Sequence, residues 1–284
     1  MKQIEILAPA GGFDSVIAAV RSGADAVYVG GKSFSARASA QNFDFEQLCD
    51  AVRYCHIHGV KLYLTINTIV FDDEFEDLKQ AVTEAARADV DALIVQNMGV
   101  ARLAQRIAPD LPLHASTQMS VHTSSGVRAL YELGFKRVVL AREMSRDEIK
   151  KAAEVPVELE VFVHGALCMS VSGQCYFSAM LGSRSGNRGA CTQPCRLTYD
   201  LTDANRNIII KGKHLLSVRD LDISKRLGDL LDAGISSFKI EGRLKERTYV
   251  RNIVSHYRRA LDAALAERPE LERASVGTSH TEFT

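Results

Sequence analysis

Four of the six cysteines lie in one glycine-rich stretch of this 284-residue chain. Six residues separate the first pair, fifteen separate the two pairs, and three separate the last pair. The four are Cys168, Cys175, Cys191 and Cys195. Glycines allow a backbone to turn tightly, and four thiolates that converge from such a loop can hold an iron–sulfur cluster or a structural zinc ion. The rest of the chain is expected to be the scaffold that carries this loop.

The expected compartment decides between metal chemistry and disulfides. No apolar run approaches the roughly 20 residues that span a bilayer. The first three residues lead directly into a strand pattern, which leaves no room for a secretory signal. We therefore expect a cytoplasmic protein without membrane contact, where clustered cysteines favour metal or redox roles over a disulfide framework. Basic and acidic residues number 35 each, so the net charge neither indicates nor excludes nucleic acid.

The scaffold alternates short apolar runs with helical stretches. Strand patterns cover 4–10, 26–31, 61–67, 92–96, 113–117, 137–142, 158–164 and 237–241. Helical patterns cover 14–22, 45–58, 72–88, 124–133, 221–233 and 249–267, and further helices end at 107 and 153. Parallel strands need helical crossovers, so about eight such units favour an α/β fold of the (β/α)₈ TIM-barrel type over a doubly wound sheet.

One segment interrupts this alternation after the seventh strand. Two short β-runs, 197–201 and 208–210, flank a polar turn and predict a hairpin inserted next to the cysteine-rich loop. We expect a single barrel domain over 1–267 that includes the loop and hairpin at 166–216. Residues 268–284 are polar, and we interpret them as a linker or the truncated start of a C-terminal region.

In barrels of this type the chemistry gathers at the C-terminal ends of the strands. The residues at these ends are Asn67, Gln96, Ser116, Thr117, Gln118, Arg142, Glu143, His164, Glu241 and Arg243. Strand alternation puts Glu160, Phe162 and His164 on one face, and Lys239, Glu241 and Arg243 on one face. We expect several of these charges to point into the barrel mouth, where buried charges need partners.

Two interpretations compete for these charges. One is an internal salt-bridge layer, with Lys239 paired to Glu160 or Glu241. The other is catalysis, and His164, Glu241 and Arg243 are our candidates for substrate or acid–base work. His114 is expected to be a hydrogen-bonded core histidine, with a ligand role as the alternative. Cys49 and Cys55 lie on the second predicted helix and are expected to be buried as small hydrophobic residues.

Candidates for substrate binding come from the rim and from the loops. Arg37 follows a glycine-rich turn that lacks the phosphate-loop and dinucleotide fingerprints, but it could meet an anionic ligand. Gln118 and Arg142 lie at strand ends. Arg188 belongs to a cation-rich segment, 184–213, which either contacts phosphates or is a solvated surface.

Several motifs resemble peptidase family U32, the collagenase-like proteins. The stretch E-V-F-V-H-G-A-L-C-M-S-V-S-G-Q-C-Y-F-S looks like the family signature, and R-G-A-C-T-Q-P-C-R resembles its downstream cysteine pair. Further similar stretches are G-A-D-A-V-Y-V-G-G, H-A-S-T-Q, V-V-L-A-R-E, K-H-L-L-S and S-F-K-I-E-G-R-L-K. The resemblance covers nearly the whole chain. It is closest to the branch that hydroxylates a cytidine of bacterial 23S ribosomal RNA, and a sister branch makes 5-hydroxyuridine at the tRNA wobble position.

This resemblance implies a cofactor, a metabolite and a partner. It assigns a 4Fe-4S cluster to Cys168, Cys175, Cys191 and Cys195, and it implies that hydroxylation depends on prephenate. It also implies RNA as the partner, either 23S rRNA or its precursor, or alternatively tRNA. Members of these branches usually continue into further C-terminal domains. The resemblance transfers no substrate-contact residue to a rim position.

Residue chemistry leaves alternatives to the cluster. A zinc site usually has tighter cysteine pairs on both sides, and only the second pair here is tight. A cysteine peptidase needs a thiolate beside a histidine base; His164 lies four residues before Cys168, but this assignment leaves three cysteines without a role. With the family resemblance added to the residue chemistry, the leading hypothesis is iron–sulfur-dependent hydroxylation of an RNA pyrimidine. A collagenase-like peptidase and a non-catalytic, cluster-bearing partner module are the alternatives.

Overall fold

Eight parallel strands close into a barrel in the computed structural model, which describes residues 1–275. The strands in chain order are β1 (Lys2–Pro9), β2 (Ala26–Gly30), β3 (Lys61–Ile66), β4 (Ala92–Val95), β5 (Leu113–Ala115), β6 (Arg137–Val139), β7 (Glu158–Gly165), β8 (Tyr199–Thr202), β9 (Ile208–Lys213), β10 (Leu221–Asp222), β11 (Ser237–Ile240) and β12 (Leu271–Arg273). The barrel strands are β1 to β7 and β11. β11 lies between β7 and β1, and β6 pairs with β7 to close the ring. The predicted TIM-type barrel is confirmed.

Helices pack around this barrel, and one short helix, Phe177–Gly182, belongs instead to the loop 166–196, where only its Ser178 is buried. They are α1 (Phe13–Arg21), α2 (Phe45–Ile57), α3 (Phe75–Arg87), α4 (Met98–Ile107), α5 (Ser124–Glu132), α6 (Arg146–Ala152), α7 (Phe177–Gly182), α8 (Leu227–Asp232) and α9 (Arg247–Ala266). In α2, Asp44 accepts from the backbone N–H of Gln47 at the N-terminus. Cys55 is fully buried on this helix and Cys49 packs partly against the same core, so both are apolar packing residues as expected.

The inside of the barrel carries a layer of bonded charges. Nζ of Lys239 lies 2.7 Å from Oε1 of Glu160, and Nη1 of Arg137 lies 3.2 Å from Oε2 of the same carboxylate. Arg137 also pairs with Glu5, which accepts a hydrogen bond from the Tyr63 hydroxyl at 2.6 Å. Buried charges are stable only when they are paired in this way. The predicted salt-bridge layer is confirmed, with Glu160 as the partner of Lys239.

His114 points into the same layer. The histidine is 4% exposed, and its ring meets the Tyr63 ring edge-on at 4.8 Å between centroids. Its core position is confirmed, but the expected hydrogen bond is not found at Nδ1, which has no partner within residues 1–275. Burial, followed by the charges of Arg137 and Lys239, lowers the pKa of His114 well below its ordinary value.

The insertion after β7 contains the predicted hairpin, formed by β8 and β9 as an antiparallel pair. The expected helix start at 221 is wrong. Leu221 and Asp222 instead form β10, which pairs antiparallel with Gly165 and His164 of β7, and α8 begins only at Leu227. The end of β7 offers backbone hydrogen bonds to this segment, and this tertiary pairing overrides the local helical preference.

The chain after α9 does not start as a linker. β12 pairs in parallel with residues 2–4 of β1, and Ser275 donates a hydrogen bond to Asp25 at 2.7 Å. β1 has this edge available because its pairing with β11 begins only at Glu5. Residues 276–284, the remainder of the segment interpreted as a linker or the start of a C-terminal region, lie outside the described residues. Within the described part of the chain, no helix is long and apolar enough to cross a bilayer.

Candidate active site

A cavity of about 380 Å³ lies at the C-terminal mouth of the barrel, between the strand ends and the loop 166–196. This volume is in the range of small-molecule sites. Lys239, Tyr28 and Phe162 lie where the cavity meets the charged layer. Nζ of Lys239 is 4.5 Å from the centre of the Tyr28 ring and 5.5 Å from that of Phe162, so the cation is covered by aromatic faces.

All four cysteines of the loop line this cavity. Cys168 lies three positions after the end of β7, Cys175 precedes α7, and Cys191 and Cys195 come after α7. None forms a disulfide. Backbone N–H groups donate to two of the sulfurs: Phe177 N to Sγ of Cys175 at 3.4 Å, and Gln193 N to Sγ of Cys191 at 3.3 Å. Hydrogen bonds to cysteine sulfurs are a recognised influence on the potential of iron–sulfur clusters.

The four sulfurs line the same cavity, but they do not converge on the position of a single metal ion. Among residues 1–275, no three Cys, His, Asp or Glu side chains form a group that could hold one metal ion. Burial raises the pKa of Cys195, Arg196 opposes this, and the thiolates of Cys168 and Cys191 raise it further. A cluster binds each cysteine at a different iron. Four free thiols around one cavity therefore fit a cluster by their chemistry, and its presence stays a prediction.

A glycine fixes the cysteine-rich loop to the barrel. The carbonyl of Gly189 accepts a hydrogen bond from Ala38 N at 3.3 Å, in the loop between β2 and α2. Gly189 has φ +80°, and a Cβ atom there would come within 2.3 Å of the carbonyl oxygen of Ser35. Only glycine permits this backbone conformation and this close approach without strain.

Arg188, which was predicted to contact the substrate, instead forms a second attachment between the cysteine-rich loop and the barrel. Its Nη1 donates to the carbonyl of Ile69 at 2.8 Å and to Glu74 at 2.9 Å. Its guanidinium also lies 4.3 Å from the centre of the Phe71 ring. The hydrogen bond from Arg188 lowers the pKa of Glu74 to about 2. The side chain joins the loop to the start of α3, and Arg188 is not among the residues that line the cavity.

Arg37 and Glu241 lie in the cavity wall as an ion pair, with Nη2 of Arg37 2.8 Å from Oε1 of Glu241. Burial would raise the pKa of Glu241, but Arg37, followed by Arg142 and Arg243, holds it below its ordinary value. Glu241 is therefore an anion among three cations. The structure brings these four predicted residues together.

Arg243 is buried at the end of β11, with 5% of its surface exposed. Nη1 donates to Ser35 Oγ at 2.7 Å and to Thr65 Oγ1 at 2.9 Å. These two hydroxyls were not identified from the sequence. Thr65 could have been noticed as the one polar residue that interrupts the buried run of β3, whereas Ser35 is brought in by a loop without a recognisable motif.

Two predicted binding residues leave polar atoms without partners. Gln118 and Arg142 both line the cavity. Oε1 of Gln118 and Nε of Arg142 are buried, and neither has a hydrogen-bond partner within residues 1–275. The guanidinium of Arg142 lies 4.2 Å from the centre of the Phe162 ring. Buried polar atoms normally have a partner, so these two are candidates for ligand contacts.

The expected face of His164 is wrong. Lys239 lies opposite Phe162 and Ile240 lies opposite His164, so β7 has one extra residue at this point. Such a bulge turns the following side chain to another direction. Nδ1 of His164 lies 3.3 Å from the hydroxyl of Tyr257 on α9. Burial lowers the pKa of His164. His164 does not line the cavity, and its predicted catalytic role has no support from its position.

Comparison with known proteins identifies similar chains. The family model described as Peptidase family U32 matches residues 11–282. A 23S rRNA 5-hydroxycytidine synthase of Escherichia coli is 45% identical over 282 residues, which are 98% of this chain and 42% of that protein. A tRNA hydroxylation protein of Bacillus subtilis is 37% identical over 273 residues, which are 94% of this chain and 65% of that protein.

A solved structure of a U32 peptidase has the same fold. It aligns with a TM-score of 0.57 at 14% identity and covers 85% of this chain and 94% of that one. At this identity the likeness concerns the fold alone. The chain spans less than two thirds of the length of each of these two curated relatives.

Proposed function

The chain belongs to peptidase family U32, and from this premise we propose that it hydroxylates carbon 5 of an RNA pyrimidine, with a cytidine of 23S rRNA as the target. The observation that carries the proposal is the position of four free cysteines around a cavity whose lining also contains four arginines. The 45% identity to a 23S rRNA 5-hydroxycytidine synthase favours cytidine. The 37% identity to a tRNA hydroxylation protein makes the wobble uridine of tRNA the second candidate.

The proposal includes a 4Fe-4S cluster on Cys168, Cys175, Cys191 and Cys195 and a requirement for prephenate, both taken from the family resemblance. The cluster, when bound, would supply electron transfer beside the cavity. The backbone N–H groups of Phe177 and Gln193 already point at two of the sulfurs and would stabilise negative charge on them.

Residues of the chain would bind and orient the base. A target base must leave its stack to enter a cavity of this depth. The rings of Tyr28 and Phe162 line the space that would receive it, and the unpartnered Oε1 of Gln118 can accept a hydrogen bond from an amino or N–H group. Glu241 is kept ionised by Arg37, so its carboxylate can accept a hydrogen bond from a bound ligand.

The geometry gives less support to a peptidase. A cysteine peptidase needs a histidine within hydrogen-bond reach of its thiolate. Cys168 lines the cavity, whereas His164 is turned towards Tyr257. Hydrolysis of denatured collagen by the purified protein, abolished by Cys168→Ser, would establish the peptidase instead. A non-catalytic module is the third hypothesis, and normal RNA modification by the cluster-free protein would favour it.

Nucleoside mass spectrometry tests the proposal directly. 23S rRNA and tRNA are isolated from a strain that lacks the gene, with and without complementation. We expect 5-hydroxycytidine to disappear from 23S rRNA and to return with the wild-type protein and with Cys49→Ser, but not with Cys175→Ser. Loss of 5-hydroxyuridine from tRNA alone would assign the second substrate. Unchanged levels of both nucleosides in the deletion strain would refute the proposal.

A further inference from the structure

The cavity contains more positive than negative charge. Lys239 is balanced by Glu160 in the layer below, and Arg37 is balanced by Glu241 in the wall. Arg142 and Arg243 are the remaining arginines of the lining that lie close enough to Glu241 to lower its pKa. The carboxylate of Glu241 thus faces three guanidinium groups, and it already forms an ion pair with Arg37.

Arg243 is the arginine at which this excess of positive charge is clearest. The side chain is almost fully buried, and its bonded partners are the neutral hydroxyls of Ser35 and Thr65. Among the described residues, no carboxylate oxygen lies within ion-pair distance of Arg243. Burial lowers the pKa of Arg243 to about 10. A buried cation without a direct counter-charge is costly, and an anionic ligand would remove that cost.

Two unsatisfied atoms belong to residues of the same cavity lining. Nε of Arg142 is a buried donor without a partner, and Oε1 of Gln118 is a buried acceptor without a partner, in the part of the chain that the structure describes. Both residues line the cavity. A donor of this kind suits an oxyanion, and the acceptor suits a hydroxyl or N–H group of the same molecule.

We propose that the cavity binds an oxyanion, a carboxylate or a phosphate, through Arg142 and Arg243, with Gln118 accepting a hydrogen bond from a hydroxyl or N–H of the same ligand. The inference does not rest on RNA hydroxylation, because the charges and the unpartnered atoms exist whatever reaction the protein catalyses. The oxyanion can belong to a free small molecule or to a phosphate of RNA, and the experiment separates these sources.

A competing explanation is that the arginines neutralise the cysteine thiolates. Arg37 is within electrostatic range of Cys191, which raises its pKa slightly further after the larger effect of Glu241. The pKa of Arg243, by contrast, is lowered mainly by burial, with smaller effects of Tyr28, Arg37 and Glu241, and no cysteine is among these causes. This difference favours a separate ligand on Arg243, and binding to the cluster-loaded protein decides between the two explanations.

Isothermal titration calorimetry under anaerobic conditions provides the test, with the full chain carrying whatever iron and sulfide it retains. The probes are succinate, inorganic phosphate, the neutral analogue succinamide, and a short single-stranded RNA. The variants are Arg142→Gln and Arg243→Gln. Arg146→Gln is the matched control, because it removes the same charge from an exposed position on α6.

We expect succinate or phosphate to bind saturably, succinamide not to bind, and each cavity variant to weaken binding by about tenfold or more, as for a lost charge-assisted hydrogen bond. Arg146→Gln should bind as the wild type does. If only the RNA binds, and the same variants weaken it, the oxyanion is an RNA phosphate. If Arg243→Gln does not fold, Arg142→Gln and Gln118→Leu carry the test. Absence of binding by all anionic probes, or equal binding by all variants, would overturn the proposal.

Discussion

Arg37 and Glu241 form an ion pair in the cavity wall, although 204 positions separate them in the chain. Arg37 belongs to the loop after β2, and Glu241 follows β11. The pair therefore joins two strand ends on the rim, and it fixes the charge of the one carboxylate that faces the arginines. Because the arginines lower the pKa of Glu241, this side chain stays ionised at neutral pH.

Arg37→Gln should make the protein more sensitive to acid. Without Arg37, burial is less opposed and the pKa of Glu241 rises, so its carboxylate is protonated at a higher pH. We expect a loss of about 1–3 kcal/mol in the free energy of unfolding, and the acid limb of the pH–activity profile should move to higher pH. Denaturation and modification assays from pH 5 to 8 check this. An unchanged acid limb would show that activity does not depend on the ionisation of Glu241.

Lys239→Met should destabilise the barrel strongly. Glu160 is fully buried and would keep only Arg137 and Ser237 as partners. Loss of one member of a buried pair costs about 3–5 kcal/mol, and adding Glu160→Gln should recover part of this cost. Urea denaturation measures both variants. The surface variant Lys79→Met is the control and should change stability by less than about 1 kcal/mol; a similar small effect of Lys239→Met would contradict the importance of the charged layer.

Each of the four loop cysteines should be needed for iron and sulfide. After anaerobic purification, we expect Cys168→Ser, Cys175→Ser, Cys191→Ser and Cys195→Ser to lose most of both elements and the associated visible absorption. Cys49→Ser is the control, because this residue lies on α2, packs partly against the core and is not among the residues that line the cavity. Retention of a full complement by any of the four variants would remove that cysteine from the ligand set.

Gly189→Ala should detach the cysteine-rich loop from the barrel. The added Cβ would clash with the carbonyl oxygen of Ser35. The backbone conformation at φ +80° costs a non-glycine residue about 1–2 kcal/mol more. We expect faster hydrogen exchange in 184–196 and lower iron content. Gly182→Ala is the control, because its Cβ would meet no atom within 4 Å. Equal exchange rates in the two variants would show that this attachment is dispensable.

His114→Gln should reduce the loss of stability in mild acid. The folded protein keeps His114 neutral because its pKa is lowered, while the unfolded chain takes up a proton near pH 6.5. This group therefore favours unfolding as pH falls below about 6.5. Between pH 7.5 and pH 5.5 the wild type should lose about 1 kcal/mol more than the variant. Denaturation at both pH values measures it, and equal losses would indicate that His114 is protonated when folded.

The strands and their order of connection followed from local patterns in the sequence. Runs such as Ile4–Ala10 are apolar because both faces of a parallel strand are covered, and this information is contained in the run itself. Cys168 and its three partners could be placed on one loop for a similar reason, since they are close in the chain. The pairing of Lys239 with Glu160 followed from alternation on two neighbouring strands.

Contacts between distant segments were beyond this kind of prediction. His164 was placed on the wrong face because a single extra residue in β7 reverses the alternation, and the sequence does not mark that bulge. Leu221 was placed in a helix because its pairing with Gly165 depends on how the insertion returns to the barrel. Arg188 has a partner, Glu74, that is 114 positions away and belongs to another loop.

The bonded charges beneath the cavity also limit how a ligand can be accommodated. Glu160 is tied to Lys239, Arg137 and Ser237, so this layer cannot retreat to admit a longer molecule. The loops above it are attached at a few points, such as Gly189 and Arg188. The strands thus set the depth of the binding space and the loops set its breadth, which leaves these two dimensions open to change by separate mutations.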